Sequence, residues 1–227
     1  FAFRADGEAL DIAGCGREAV DEAIAAMDPA PVAPGKYDII LRSDAMASIL
    51  GAFAGMFSAD AAQKGLSPLA GREGEDMAAE CVTLMDDPLY PINPSPFDDE
   101  GTPSVAKAVI KDGKLETLLH NLKTAKKAGV KSTSNGGRSS AGSPVGVRIT
   151  NFYIAPKEGS LGQLISELGD GLLITDFSGL HAGVNPVSGK FSVLCKGRLI
   201  KDGRDVRAVN EITLSGDFTE LLRSIVR

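Results

Sequence analysis

The chain is poor in the residues that build metal centres and disulfide frameworks. Its 227 residues include no tryptophan, two histidines, three cysteines and only 5% aromatic residues. The two histidines, His120 and His181, are too few for a histidine-rich metal site. No apolar run reaches the roughly 18 residues that a membrane helix needs, and no basic segment followed by an apolar one opens the chain. We therefore expect neither membrane binding nor a secretory signal.

The three cysteines form no recognisable pair or metal-binding motif. Cys15, Cys81 and Cys195 are odd in number and far apart, with neither a CxxC pair nor the spacing of a zinc knuckle. Cys81 and Cys195 lie in apolar, strand-like runs, which predicts small buried thiols. Because three unpaired thiols persist best in a reducing compartment, we expect a cytoplasmic protein.

Hydrophobic residues make up 43% of the chain, and its net charge is only −6. This small net charge hides an uneven distribution of acidic and basic residues along the sequence. Residues 1–104 hold 19 acidic and 6 basic side chains, whereas residues 105–148 hold 2 acidic and 9 basic ones. Such a basic stretch can bind phosphate groups, but this one contains no aromatic residue to stack on bases. We expect lysines that alternate along strands, on a solvated surface or a protein interface, with nucleic-acid contact as the alternative.

The first part of the chain shows helical periodicity. It predicts an amphipathic helix over 16–27, followed at 28–36 by a proline-rich linker that cannot be helical. The run 37–41 predicts a buried strand, and Ser43 is a suitable N-cap for the helix after it. Five apolar residues then recur at helical spacing and predict a stripe that faces the core. They are Met46, Ile49, Leu50, Phe53 and Phe57.

After the first third of the chain the apolar period changes to two, which indicates strands. The dipeptides Asp112-Gly113 and Asp202-Gly203 are strong signals for two β-hairpins. The run 147–156 predicts a further strand that ends at a proline.

Two short helices are predicted among these strands. Ser160 and Gln163 have the spacing of a capping box, and Asp217 is a suitable cap for the last helix. Together the elements predict an α+β fold, with a mixed or antiparallel sheet and a few packing helices.

The common catalytic signatures are missing from the sequence. It contains no HExxH zinc motif, no P-loop, no GxGxxG motif and no GxSxG nucleophile elbow. A Ser-His-Asp site could combine His181 with Asp176, because such triads are defined by geometry. No local pattern identifies a nucleophile, so an independent hydrolase based on His181 stays an alternative.

Two loops combine glycine with many polar side chains. The loop 129–146 is longer than most structureless connections, and it could hold an anion or a peptide backbone or simply be a flexible, exposed segment. The loop 174–192 contains several glycines, and because they have no side chain another chain can approach its backbone closely. We take seven side chains as candidates for contact with a peptide or a partner. They are Asn135, Arg138, Asp176, Ser178, His181, Asn185 and Ser188.

Several stretches match a known family in consecutive order. The sequences FDDEGTP (97–103), HNLKTAKKAGVKSTSNGGR (120–138) and DFSGLHAGVNPVSGKFS (176–192) resemble the TldD/PmbA family, as does the run that starts at residue 37. This family is also called modulator of DNA gyrase, or the TldD/TldE peptidases. The stretches NLKTAKK and FSGLHAGVNPVSG are similar to the PmbA (TldE) branch rather than to TldD.

The resemblance implies the C-terminal domain of a TldE-like subunit. In that family TldD and TldE form a cytoplasmic heterodimeric zinc metalloprotease that acts on unfolded peptides, in peptide maturation and antitoxin proteolysis. The TldD branch holds zinc with an HExxxH helix and a cysteine, whereas this sequence has no HExxxH. No catalytic, cofactor or metal residue is therefore assigned here, and zinc is expected in a TldD-type partner.

The same resemblance implies a domain organisation. Residues 1–36 are expected to be the end of a missing N-terminal domain plus the linker, and residues 37–227 a C-terminal domain that is shortened at its end. The expected partners are a TldD-like subunit, or a second copy in a homodimer, and unfolded peptides, without nucleic acid or membrane. A regulatory module that contacts DNA or gyrase, prompted by the family's older name, is the alternative.

Overall fold

The structure, a computed structural model, describes residues 11–226. The part of the expected segment 1–36 that precedes Asp11 lies outside the described residues, as does Arg227. Seven helices and eleven strands are assigned within residues 11–226. The helices are α1 (Ile12–Ala25), α2 (Ser43–Phe53), α3 (Ala59–Gln63), α4 (Leu122–Ala128), α5 (Leu161–Leu168), α6 (Leu180–Gly183) and α7 (Phe218–Arg223), with a 3₁₀ turn at Ala54–Phe57. The strands are β1 (Ile39–Leu41), β2 (Leu84–Asp86), β3 (Lys107–Lys111), β4 (Lys114–Leu115), β5 (Gly136–Gly137), β6 (Gly146–Val147), β7 (Phe152–Ile154), β8 (Gly171–Ser178), β9 (Val184–Asn185), β10 (Lys190–Lys201) and β11 (Arg204–Asp217).

The chain divides into two compact units, each assembled from three stretches of sequence. The first unit contains the residues up to Ile49 together with Lys157–Gly183 and Ser192–Ser215. The second contains Leu50–Pro156, Val184–Phe191 and the residues from Gly216 onward. Sheets and helices occur together, so the predicted α+β class is confirmed.

The first unit is built on a mixed sheet with the strand order β1-β8-β10-β11. β1 is parallel to β8, with Ile39 opposite Leu172, and β10 is antiparallel to β8. Residues 171–174 of β8 are all buried, as expected for a continuous apolar run covered on both faces. In β10 buried and exposed residues alternate from Lys190 to Gly197, the two-residue period of a strand with one face in the core.

The second unit contains a four-stranded sheet in the order β4-β3-β2-β7 and a two-stranded one, β5-β6. Its core is rich in aromatic rings. Phe53 stacks on Phe218 with ring centroids 4.4 Å apart and meets the edge of Phe191 at 6.1 Å. The predicted stripe of α2 thus faces the core at Phe53, and Phe57 in the 3₁₀ turn is also buried.

The predicted hairpin turns and two of the three predicted caps are confirmed; Ser43, predicted as an N-cap, is instead the first residue of α2. Asp112 and Gly113 have φ angles of 48° and 82°, and Asp202 and Gly203 have 49° and 67°, the left-handed pair that a tight type I′ hairpin requires. The Ser160 side chain accepts a hydrogen bond from the Gln163 backbone N–H, and the Gln163 side chain accepts one from the Ser160 backbone N–H. The Asp217 carboxylate accepts from two backbone N–H groups of α7.

Other predictions were wrong in detail. The lysines of 123–127 lie on helix α4 rather than on a strand, because Asn121 and Thr124 form a capping box and Gly129 ends the helix in the left-handed region. The strand predicted over 147–156 is split into β6 and β7. Cys81 is half-buried in a turn before β2 rather than buried in a strand.

Helix α1 begins and ends earlier than predicted. The helix predicted over 16–27 spans Ile12–Ala25 instead, because the Asp11 carboxylate accepts the Gly14 N–H at 2.7 Å and so starts the helix earlier. Within residues 11–226 no helix combines the length and the apolar character needed to cross a membrane.

Candidate functional site

The seven candidate side chains belong to three places in the fold. Asn135 and Arg138 lie in the second unit, directly before and directly after β5. Asn185, the last residue of β9, and Ser188, in the turn between β9 and β10, also lie in the second unit. The other three lie in the first unit, along and after the end of β8. They are Asp176, Ser178 and His181.

Asn135 is held by a buried carboxylate. Asp86, with no exposed surface, accepts at its Oδ2 from Asn135 Nδ2 at 2.8 Å and from Lys107 Nζ at 3.0 Å. Its Oδ1 accepts from the backbone N–H and the hydroxyl of Thr150, both at 2.8 Å. All four donors converge on one charge, so the ion pair is fully hydrogen-bonded despite its burial, which is the condition under which such a pair is tolerated.

The remaining polar atoms of Asn135 are also used inside the unit. Its Nδ2 donates to the Arg148 carbonyl at 2.8 Å, and its Oδ1 accepts from the Thr133 hydroxyl at 2.7 Å. Asn135 is 1% exposed. Its side chain therefore organises the loop, and contact with a second molecule would fall to its exposed neighbours.

A second acidic group anchors the same loop. Asp98 accepts from the backbone N–H of Gly136 at 2.8 Å, and Asp99 accepts from that of Arg138 at 2.8 Å. Glu100 accepts from the Leu122 N–H at 2.7 Å, at the start of α4. The FDDEGTP segment thus holds the loop and the start of α4 in place, a role that its resemblance to the family does not indicate. The sequence signal for this role is the run of three acidic residues before a glycine, which is more acidic than an ordinary turn.

His120 completes this buried polar region. It is 5% exposed, and its carbonyl accepts the backbone N–H groups of Thr133 and Asn135. Its Nδ1 has no hydrogen-bond partner among residues 11–226. Burial lowers the pKa of His120 below its usual value, against a smaller opposing effect of the Thr124 carbonyl. The imidazole is therefore neutral near pH 7.

The loop 129–146 falls into two parts. Residues 134–137 are buried by the contacts to Asp86, Asp98 and His120, so the interpretation as a wholly exposed, flexible segment is wrong for them. Residues 138–142 are exposed, and Arg138 donates to the Ser143 carbonyl at 3.3 Å. Arg138 is the candidate of this loop that solvent and a partner can reach.

In the first unit, β8 has an open edge at its C-terminal end. β1 pairs with β8 only as far as Ile174, whose carbonyl then accepts the Arg42 N–H at 2.9 Å. Residues 176–178 pair with β10 on the other side, with Lys196 opposite Asp176, and the register shifts by one residue at Thr175. Among the described residues no strand is paired with 175–178 on the β1 side. A strand with one unpaired edge can accept another extended chain.

The candidate side chains of this edge are accessible. Asp176 forms an ion pair with Lys196 at 3.1 Å, and both side chains are about half exposed. Ser178, at the end of β8, and His181, in α6, are exposed. Within residues 11–226 no hydrogen bond or ion pair joins Asp176 to His181. The arrangement therefore lacks the contact that would orient a catalytic histidine.

The turn after β9 is fixed by its own side chains. Asn185 Oδ1 accepts from the N–H groups of Val187 and Ser188 at 3.0 and 3.2 Å. Ser188 Oγ accepts from the Lys190 N–H at 3.4 Å. Both candidates remain exposed, so they present a rigid polar turn to solvent.

The described residues do not fit a zinc ion. Residues 11–226 contain no group of three or more His, Cys, Asp or Glu side chains that could hold a metal. The two histidines belong to different units, His120 to the second and His181 to the first. Burial raises the pKa of the Cys195 thiol to about 11, which keeps it protonated and a poor ligand.

Comparison with known proteins gives a consistent family. Residues 34–227 match the model of the PmbA/TldA metallopeptidase C-terminal domain. The chain is 36% identical over 176 residues to a metalloprotease of Archaeoglobus fulgidus, covering 77% of this chain and 40% of that protein. It is 26% identical over 213 residues to metalloprotease PmbA of Escherichia coli O157:H7, covering 93% and 45%.

Two crystal structures share its fold. One, from Thermotoga maritima and described as a modulator of a DNA gyrase, is 40% identical with a TM-score of 0.91, covering 97% of this chain and 50% of that one. The other, TldE from Thermococcus kodakarensis, is 29% identical with a TM-score of 0.85, covering 95% and 49%. The chain spans about half the length of the relatives that it matches.

Proposed function

Because the chain belongs to the PmbA/TldA metallopeptidase family, whose C-terminal domain it contains, we propose that it acts in proteolysis as the peptide-holding domain of a TldE-type subunit. The catalytic zinc would be carried by a TldD-type partner, and the substrates would be unfolded peptides in the cytoplasm. Peptide maturation and antitoxin proteolysis are the processes in which such a complex would act.

Two observations support the division of labour between subunits. The relatives are named as metalloproteases, and one solved neighbour is named TldE. The residues of this chain, on the other hand, supply no set of ligands for zinc within 11–226. In a metal-dependent family, a domain whose residues 11–226 group no metal ligands would act as a binding and positioning partner.

The single observation that carries the peptide-binding role is the open edge of β8 at residues 175–178. Main-chain hydrogen bonds along such an edge bind an extended peptide whatever its sequence. That property suits unfolded substrates, which share a backbone and little else. Ser178 and His181 would lie beside the added strand as exposed polar contacts, and the Asp176–Lys196 pair would flank it.

The binding role can be tested with a labelled, unstructured peptide of about ten residues by fluorescence anisotropy. Alternate N–H groups of a strand point to the same edge, so two versions of the peptide are made. Each is N-methylated at every second residue, in opposite phase. We expect one phase to lose affinity at least about tenfold and the other to keep it. Equal binding of both, or none by the parent peptide, would contradict strand addition.

The partnership is tested separately by mixing the chain with a TldD-type subunit from the same source. Co-elution and a faster cleavage of the labelled peptide are expected. If the chain instead elutes as a dimer of itself and leaves cleavage unchanged, the heterodimeric assignment fails, whatever the peptide assay shows.

A second candidate function, contact with DNA or gyrase, is favoured by one surface. Lys123, Lys126 and Lys127 are exposed on α4, and the Thermotoga neighbour is described as a modulator of a DNA gyrase. Phosphate binding by these lysines would make the affinity for DNA fall steeply between 50 and 200 mM salt. The triple variant K123Q/K126Q/K127Q should then flatten that dependence. Weak binding that salt does not change would remove this candidate.

A further inference from the structure

A lysine and an asparagine meet on one buried carboxylate oxygen in the second unit. Lys107 Nζ and Asn135 Nδ2 both donate to Asp86 Oδ2, at 3.0 and 2.8 Å. Lys107 and Asp86 are opposite residues of the antiparallel strands β3 and β2, whereas Asn135 lies 28 residues beyond Lys107, just before β5. The shared oxygen therefore brings an amine and a carboxamide from distant segments side by side. We call these three side chains the Lys-Asp-Asn cluster.

The Lys-Asp-Asn cluster is enclosed. Asp86 has no exposed surface, Asn135 is 1% exposed, and the side chain of Lys107 is 13% exposed. Such burial penalises two opposite charges. Transfer of one proton from Nζ to Oδ2, along their hydrogen bond, leaves both groups uncharged. Lys107 then carries a free amine, which is the nucleophilic form of a lysine.

The carboxamide of Asn135 is polarised for attack by this amine. Its Oδ1 accepts from the Thr133 hydroxyl at 2.7 Å, so a donor already lies where negative charge develops when a nucleophile adds to Cγ. Its Nδ2 is held by Asp86 and by the Arg148 carbonyl, both at 2.8 Å. These bonds fix the orientation of the amide next to Lys107, and such positioning can replace an encounter in solution.

The other nucleophile that could attack the same carbon is engaged elsewhere. In an Asn-Gly sequence the backbone nitrogen of the glycine can close a succinimide ring on the asparagine Cγ, and here that residue is Gly136. Its N–H donates to Asp98 Oδ2 at 2.8 Å, and Asp98 is buried. Ring closure removes this N–H and would leave a buried carboxylate oxygen without its donor. The arrangement therefore favours Lys107 as the nucleophile.

We propose that Lys107 and Asn135 join in an isopeptide bond, with Asp86 as the carrier of protons. The bond between Lys107 Nζ and Asn135 Cγ forms, and the bond between Cγ and Nδ2 breaks. Nζ gives up two of its three protons, which pass over Asp86 to Nδ2. That nitrogen leaves as ammonium, and Asp86 ends as the carboxylate that it was at the start. The reaction needs no oxidant, cofactor or second substrate.

The bond would attach the polar loop 129–146 covalently to β3. It would fix the buried residues 134–137, which precede the exposed Arg138. Because the ionised pair of Asp86 and Lys107 predominates, the reaction follows folding slowly, and the freshly folded chain holds the ion pair. This proposal is independent of the peptide-binding function.

Intact-mass spectrometry tests the proposal during incubation of the folded chain for several weeks in neutral buffer. We expect a product that is about 17 Da lighter than the sequence, the mass of one ammonia. Trypsin should release a branched peptide that joins 73–111 to 132–138, because an amide at Lys107 prevents cleavage there. The branched peptide should be absent from chain kept in urea, where the three segments do not meet.

Three variants identify the reacting groups. K107R keeps the charge, but its guanidinium stays protonated and cannot attack, so its mass should not change. The matched control K111R, at the exposed end of β3, should react like the parent chain. T133V lacks the donor to Asn135 Oδ1 and should react at least about tenfold more slowly. Circular dichroism checks that each variant folds.

Two outcomes overturn the proposal. The first is an unchanged mass of the folded parent chain throughout the incubation. The second is a loss of ammonia that persists in K107R, because the product would then be a succinimide formed with Gly136. In that case tryptic digestion would give the peptide 132–138 in linear form.

Discussion

The buried ion pair of Asp86 and Lys107 allows a quantitative prediction, because the molecule contains an exposed pair of the same chemistry. In D86N, Oδ1 can still accept from Thr150, but an amide nitrogen can replace Oδ2. That nitrogen would face two donors, Asn135 Nδ2 and Lys107 Nζ, which now bind Oδ2 at 2.8 and 3.0 Å. Two charge-assisted bonds are lost, each contributing about 1.5–3 kcal/mol, and Lys107 is left with a buried, unpaired charge.

The expected loss in the free energy of unfolding is therefore about 3–5 kcal/mol, the range for breaking a buried pair from one side. The matched control is D176N, which breaks the Asp176–Lys196 pair of almost equal length, 3.1 Å, but half exposed. Such pairs contribute within about 1 kcal/mol. Both variants are unfolded in urea and followed by circular dichroism and by intrinsic tyrosine fluorescence.

A result in which D86N and D176N destabilise the protein equally, by less than about 1 kcal/mol, would refute this reasoning. It would mean that the cluster around Asp86 is hydrated in solution. The double variant D86N/K107M separates the two contributions, since removing the orphaned cation should restore part of the lost stability.

Three further predictions concern the turn, the buried histidine and the buried thiol. G113A should destabilise the protein by about 1–3 kcal/mol in thermal unfolding, because φ at this position is 82° and the new Cβ would lie 2.6 Å from a backbone oxygen. The control G65A has a similar φ but open space around the new Cβ, so it should destabilise less. Equal losses of stability in the two variants would contradict the steric argument. Burial lowers the pKa of His120 in the folded protein below its usual 6.5. As the pH falls, the unfolded chain therefore binds this proton before the folded protein does. The stability present above pH 6.5 should be lost between pH 6.5 and the lowered pKa of the folded protein. H120Q should flatten this dependence, whereas H181Q at an exposed position should not, and an unchanged slope in H120Q would assign the effect elsewhere. Cys195, with a pKa of about 11, should react with iodoacetamide at pH 8 only after denaturation, as read by mass spectrometry; labelling of the native protein would show that the site opens.

The predictions that succeeded depend on neighbouring residues. The φ angles of Asp112 and Gly113, and the capping box of Ser160 and Gln163, are set within two to four residues, so the sequence contains all the information they need. The sequence information that specifies helix α4 is also local, since Asn121 and Thr124 form its N-terminal cap. It was missed because the surrounding lysines were interpreted with the period of a strand.

The candidate site could be predicted only in part. The loop 129–146 is polar throughout, and composition alone makes such a segment an exposed connection. Its burial at residues 134–137 results from Asp86 and Asp98, which lie 49 and 38 residues earlier in the chain. For the same reason Asn135 was chosen as a contact residue although its side chain is enclosed.

Local spacing and consecutive motifs are enough to predict the fold class, the positions of the tight turns and most caps, and the resemblance to the TldD/PmbA family. The tertiary structure alone decided which polar groups are buried and which edges stay open. Asp86 is enclosed by three separate segments, and β8 is open at 175–178 because β1 ends at Leu41. Burial and strand pairing are properties of distant contacts, and the scarcity of histidine gains its meaning only when the two that exist are found in different units.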